Sequence, residues 1–262
     1  MQNDGSVTTF RVSDGNTVKL EHRDILPSTT ELAREYAALG YPDRYAIVTE
    51  KQTKSPIIGT KLSNDDFEKG LFISVILRPS MFPSQATLLG PLAAVAFATA
   101  LEEHSQKKIG TGWVTDIYCN GIKIGGCALE GKLDSYTSYE YIIVSFAVKL
   151  NPKDFPPRLT DMVRQVFESE NLSIETIIAK TVLNKFFLLY RNLKNPSKFM
   201  DTYRNKFVLT GKKIKYIFDG KKINVRVVGV DKDNCSLIVE GPNGETKNVF
   251  KPSNVIIPKK IV

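Results

Sequence analysis

Lys123-Ile124-Gly125-Gly126 sets one ammonium beside two residues without side chains, inside an otherwise apolar run. A lysine in such a run has two readings. On an alternating strand it can face solvent; turned into a closed site it is a point charge that stabilises negative charge building on carboxylate or phosphate oxygens. Consecutive glycines in a strand either mark a β-bulge or let a ligand or a backbone come close. Other chemistries are excluded by count. His22 and His104 stand alone, so no histidine metal centre can be built, and neither accompanies a Ser or Cys in a nucleophile pattern. Cys119, Cys127 and Cys235 are odd in number and lack CxxC spacing, which argues against a disulfide framework and a zinc site. We read them as small apolar residues in strands, and expect no metal site.

The elements that would hold these residues are legible from periodicity. Residues 17–26 alternate as a strand that stops at Pro27. Ser28-Thr29-Thr30-Glu31 then forms a capping box that opens a helix through Leu32, Ala33, Tyr36 and Ala37, ending at Gly40. Residues 45–50 are a strand, and 51–65 read as a long loop holding Pro56, Gly59 and Asn64. Leu71 to Leu77 is an apolar strand. Residues 85–104 are a buried helix, with part of its start near Pro91. Trp113 to Cys119 and Ile122 to Leu129 make a hairpin across Asn120-Gly121, two residues that accept positive φ. A strand over 139–150 follows, then prolines at 152, 156 and 157, then a helix from Ile174 to about Leu193 capped by Ser173. From Gly211 onward, five short alternating segments are separated by turn signals, as in a small barrel or sandwich.

Charge is unevenly placed. Residues 203–262 carry 13 Lys/Arg against 5 Asp/Glu, so the whole formal net charge of +8 resides there. A basic face of this kind is either solvated or attracts acidic partners and nucleic acid. Tyr216 and Phe218 alternate with lysines as in a strand and make no stacking platform, so nucleic acid is disfavoured. The first ten residues lack the pattern of a signal peptide and no apolar run is long enough for a membrane span, so cytoplasm is the expected location.

One family gathers these features in order. Biotin–protein ligases carry Lys-Trp-Pro-Asn-Asp-(Leu/Ile)-Tyr, a short turn, then Lys-(Ile/Leu)-(Ala/Gly)-Gly-Ile. This chain has Gly112-Trp113-Val114-Thr115-Asp116-Ile117-Tyr118, the Asn120-Gly121 turn, then Lys123-Ile124-Gly125-Gly126-Cys127. It also has Ser28-Thr29-Thr30 where the family has Ser-Thr-Asn, and Gln52-Thr53 where it has Gln-Thr. Tyr203-Arg204, Gly211-Lys212 and the short strands after them look like the family's C-terminal SH3-like domain. The resemblance spans residues 17–262, with no helix-turn-helix before it.

The resemblance implies an α+β fold: a class II synthetase-like biotin/lipoate ligase domain over 1–205, a mixed β-sheet flanked by helices, and a small SH3-like β-barrel over 206–262. It implies activation of biotin with Mg-ATP to biotinyl-adenylate, then transfer of biotin to a lysine of a carboxylase's biotin carboxyl carrier domain. Biotin and Mg-ATP are substrates, with no tightly bound cofactor. Lys123 would bridge the biotin carboxylate and the α-phosphate. Ser28, Thr29, Thr30 and Gln52 would pair the ureido ring, Ser28 being equally explained as a cap, and the strand of Gly125 and Gly126 would line the biotin pocket. Lys54, Gly59, Lys61, Trp113, Asp116 and Lys149 would serve the nucleotide, Trp113 near the adenine or else in the core, Asp116 orienting the carrier lysine or a metal. A homodimer through the apolar helix near 91–101 or a strand edge is left open.

The chain departs from the family where nucleotide chemistry belongs. The family's Gly-Arg-Gly-Arg-x-Gly loop corresponds to residues 54–61, with no arginine and one glycine. Lysine lacks arginine's bidentate fork. The Gly-x-Gly-(Ile/Val)-Asn run corresponds to Ser145-Phe146-Ala147-Val148-Lys149, where Phe146 and Ala147 are expected to crowd the groove. Two functions follow: a working ligase, or an impaired relative that binds biotin or a carrier domain without adenylation. A lipoyl-type ligase is a third.

Overall fold

The computed structural model describes residues 5–54, 70–105, 107–149, 174–258 and 260–261. Strands β1 (Ser6–Arg11), β2 (Thr17–Leu26), β3 (Tyr45–Gln52), β4 (Gly70–Leu77), β5 (Ile109–Thr111), β6 (Asp116–Cys119), β7 (Ile122–Leu133) and β8 (Tyr139–Lys149) form one sheet in the order β1-β2-β3-β4-β8-β7-β6-β5. β2 and β3 run parallel and the other ladders are antiparallel, so the sheet is mixed as expected. β4, apolar but for Ser74, is buried at every position, as befits a central strand covered on both faces.

Helix α1 (Thr29–Ala38) covers one face, setting Ala33 and Ala37 on Tyr45, Ile47, Ile76, Tyr141 and Ile143. Its start is the expected cap: Ser28 Oγ accepts from the Glu31 N–H at 3.3 Å. The Glu31 carboxylate does not close the box and pairs with Lys54 Nζ at 2.8 Å instead. Helices α2 (Leu89–Ser105) and α3 (Ile174–Tyr190) cover the opposite face in a continuous apolar core. A short 3-10 turn at Pro83–Ala86 precedes α2. The helical span Pro83–Ser105 is long and apolar enough for a bilayer by composition, contrary to the sequence reading, but 72% of its apolar window is buried inside the protein. Helix α3 ends at Tyr190, a turn earlier than expected, and Ser173 lies outside the described residues.

Three elements escaped the sequence reading. Helix α4 (Ser197–Lys206) buries only Phe199, Met200 and Tyr203, a stripe too narrow to stand out. β1 is an exposed edge, and β5 has three residues.

The C-terminal segments form a second antiparallel sheet from β9 (Lys213–Phe218), β10 (Lys221–Val230), β11 (Leu237–Glu240), β12 (Thr246–Val249) and β13 (Val255–Ile256), in the order β12-β11-β10-β9-β13. Asp219 and Gly220 take φ 47° and 75° at the expected turn. The ladder is open: among the described residues β12 and β13 do not pair with each other, so a closed barrel is not formed. The two sheets share one core. Trp113 Nε1 donates to the Cys235 carbonyl at 2.7 Å, Tyr118 Oη to the Pro258 carbonyl at 3.3 Å, and Ile261 N to the Gly121 carbonyl at 2.7 Å. Cys119 and Cys127 lie in strands as read, whereas Cys235 sits in a turn at φ 58°. All three are buried, and none is in a disulfide.

Candidate functional site

Lys123 reaches its place through a register shift. Asn120 and Gly121 turn the hairpin with φ 50° and 76°. Tyr118 then pairs with Lys123 and Ile117 with Gly125, leaving Ile124 unpaired as a bulge. Three positions apart on a regular strand, Lys123 and Gly126 would face opposite sides; the extra residue returns them to the same side. Lys123 Nζ lies 2.6 Å from Asp116 Oδ1, and Asp116 pairs with Gly126. Both side chains of the ion pair are about three-quarters shielded from solvent. Burial pushes the Asp116 carboxyl above its ordinary pKa, an effect Lys123 partly offsets. Burial likewise raises the Tyr118 phenol and the Cys127 thiol.

Gly125 and Gly126 serve the sheet itself. A Cβ on Gly125 would lie 2.1 Å from the Ala147 carbonyl oxygen, and one on Gly126 would lie 2.9 Å from that of Thr115. Close backbone approach therefore requires both, which is one of the readings of consecutive glycines in this strand. Ser145 and Ala147 of β8 alternate with Phe146, which points to the other face and stacks edge-on with Phe97 (5.3 Å) and Phe186 (5.8 Å). Phe146 is thus a core residue and does not crowd the groove as expected.

Across the same face, the N-terminus of α1 meets β3, β4 and β8 in a buried polar cluster. Gln52 Oε1 accepts from Thr29 N at 2.6 Å and from Thr29 Oγ1 at 3.0 Å. Ser74 Oγ donates to Thr29 Oγ1 at 2.9 Å and lies 2.9 Å from Ser145 Oγ, which is 2.8 Å from Thr30 Oγ1. Every member is buried, yet among the described residues Gln52 Nε2 has no hydrogen-bond partner. A buried amide donor left unpaired costs on the order of 1–3 kcal/mol unless something satisfies it. A ligand carbonyl would do so.

The structure thus unites Thr29, Thr30 and Gln52, and separately Lys123 and Asp116. Ser28 caps the helix. Lys54 is an exposed partner of Glu31, on the flank of the cluster. Trp113 is buried beneath the C-terminal sheet with its N–H donated to the Cys235 carbonyl, the core placement of its two readings. Gly59 and Lys61 lie outside the described residues, as does the Lys149 side chain. Ser74 and Ser145 were missed as site residues, though each is a lone serine in the strongly apolar runs Leu71–Leu77 and Tyr141–Val148. Buried polar residues of that kind need partners, and that was the available signal.

No family model matches the chain. Over 158 residues it is 28% identical to the bifunctional ligase/repressor BirA of Bacillus subtilis, covering 60% of this chain and 48% of that protein. The chain thus matches about half the length of that relative. This chain is a relative of the biotin–protein ligases. The biotin protein ligase of Aquifex aeolicus, in a mutant form bound to biotin, superposes with a TM-score of 0.67 at 20% identity, covering 91% of this chain and 97% of that one. A biotin protein ligase-like protein of unknown function from Silicibacter gives 0.58 at 14%, covering 92% and 96%. At those identities the superpositions establish a biotin ligase-like fold. Within that fold this ligase relative keeps the Lys123 hairpin and the Thr29–Gln52 cluster on one face of the sheet. Among the described residues no group of three His, Cys, Asp or Glu side chains is placed to hold a metal.

Proposed function

We propose that the chain is a biotin–protein ligase, joining biotin to a lysine of a biotin carboxyl carrier domain by way of biotinyl-adenylate. One observation carries the reading: among the described residues, a buried, unpartnered amide donor and a shielded lysine paired with Asp116 share one face of the sheet. They sit three strands apart, roughly 14 Å at the usual spacing. A ligand with a polar ring and a short acid chain spans such a distance, its ring carbonyl on Gln52 Nε2 and its carboxylate toward Lys123.

The chemistry then divides between the two ends. The carboxylate oxygen attacks the α-phosphorus of Mg-ATP and pyrophosphate leaves; the carrier amine attacks the acyl carbon, loses a proton, and AMP leaves. Each step gathers charge on oxygens that a lysine in a shielded site stabilises. Asp116 holds the Lys123 ammonium until substrate arrives, and a carboxylate there is suited to receiving the carrier lysine. Lys54 lies near enough to the α1 N-terminus to serve phosphate, and the nucleotide roles of Gly59, Lys61 and Lys149 rest on the sequence resemblance alone. We further assign residues 206–262 to an SH3-like module that steadies the hairpin, and place the enzyme in the cytoplasm.

The second reading, binding without adenylation, is favoured by the loss of the family's arginines from residues 54–61. One assay separates the readings. Incubated with biotin, Mg-ATP and a carrier domain, the protein should biotinylate one lysine, and Lys123→Ala should lower the rate at least a hundredfold, about 2.7 kcal/mol. Biotin binding by calorimetry without product leaves the binding reading, and preference for lipoate or octanoate leaves a lipoyl-type ligase.

A further inference from the structure

The buried hydroxyls of the cluster can be ordered donor by donor. Thr29 gives both its N–H and its hydroxyl hydrogen to Gln52 Oε1. Its oxygen can then only accept, and it accepts from Ser74. With the Ser74 hydrogen spent, Ser74 must itself accept, and Ser145 at 2.9 Å is a nearer donor than Thr30 at 3.4 Å. The Ser145 hydrogen is now spent, so at 2.8 Å it is Thr30 that donates to Ser145. The hydrogens run one way: Thr30 to Ser145 to Ser74 to Thr29 to Gln52. A hydroxyl carries one hydrogen and two lone pairs, so this order leaves Thr30 Oγ1 able only to accept. At the other end, Gln52 is left, among the described residues, with a free donor, Nε2.

We propose that Ser74 and Ser145 are positioning residues that fix this direction, so that the site selects a ligand edge presenting a carbonyl acceptor beside an N–H donor. A cyclic urea or lactam has that edge. A carboxylate or a cyclic ester, with acceptors alone, has no group to offer Thr30, and a dithiolane ring has neither. The serines touch the ligand only through Thr30 and Thr29. The inference rests on the biotin reading for the identity of the ligand, though not for the polarity of its edge.

The test uses the full chain and two rings of equal size, 2-imidazolidinone and ethylene carbonate, in which oxygens replace both N–H groups. Titrated by NMR, the native protein should prefer the urea at least about tenfold, the scale of one lost hydrogen bond. In Ser145→Ala the Thr30 hydrogen is released and can donate, so the preference should fall below about threefold, while Ser145→Thr, which keeps the hydroxyl, should retain it. Ser74→Ala should act in the same direction, and biotin affinity should drop with the urea preference. A Ser145→Ala variant that weakens both rings equally, or leaves the preference intact, overturns the relay. So does a native protein that binds neither ring. Selective, Ser145-dependent urea binding without any biotin binding upholds the relay and sinks the biotin reading instead.

Discussion

The two faces of the large sheet are made by the same strands and follow opposite rules. Toward α2 and α3, β4 and β8 present Leu71, Ile73, Val75, Val144, Phe146 and Val148 to an unbroken apolar core. Toward α1, the alternate positions of the same strands include Ser74 and Ser145, buried just as deeply. Burial therefore does not distinguish function from stability here; polarity at equal burial does. A core face gains by excluding polar groups, whereas hydroxyls at 0% and 3% exposure are retained only where their hydrogen bonds are organised.

That contrast can be broken from the apolar side first. Phe146→Ala should cost about 3–5 kcal/mol of unfolding free energy in urea titration, since the ring contacts Phe97 and Phe186. The folded fraction should bind biotin within about twofold of native, the scale expected of a site that lost no contact. A larger loss of affinity than of stability would mean that the faces are not separable. From the polar side, Gln52→Glu keeps the Oε1 acceptor and removes the free donor. Biotin affinity should fall at least tenfold, about 1.4 kcal/mol, by calorimetry. An unchanged affinity would show that the free donor has no ligand.

The smallest effect lies on the apolar side, at its single buried imidazole. His104 Nε2 lies 2.9 Å from Thr181 Oγ1 between α2 and α3, and burial lowers its pKa below the ordinary 6.5. The unfolded chain takes up a proton near pH 6.5 where the folded one resists, so this contribution to stability is full above 6.5. It is lost as pH falls through that value toward the lower folded pKa. Melting temperature should decline over that window, and His104→Gln should flatten the slope; an equal slope in the variant assigns the effect elsewhere.

Much of this was readable from residues alone. Asn120-Gly121 announced the hairpin, because only a turn with two positive φ angles favours that pair. Ser28 announced the start of α1. The order of motifs pointed to the biotin-ligase fold before any coordinates, and the alternating C-terminal segments pointed to a second all-β unit. Trp113 stayed open between two placements because aromatic residues beside a ligand and under a sheet have the same sequence surroundings; its hydrogen bond to the Cys235 carbonyl, 122 residues away, seats it in the core.

The sequence by itself determined most of the strands and helices, since period and capping are local properties of the chain; α4, β1 and β5, with a narrow apolar stripe, an exposed edge and three residues, were the exceptions. The tertiary structure decided which side each polar group faces. One unpaired residue, Ile124, turned Lys123 toward Asp116, and the convergence of α1 with β3, β4 and β8 left Gln52 a donor without a partner among the described residues. Register and partnership depend on contacts between residues far apart in sequence, so no local pattern records them.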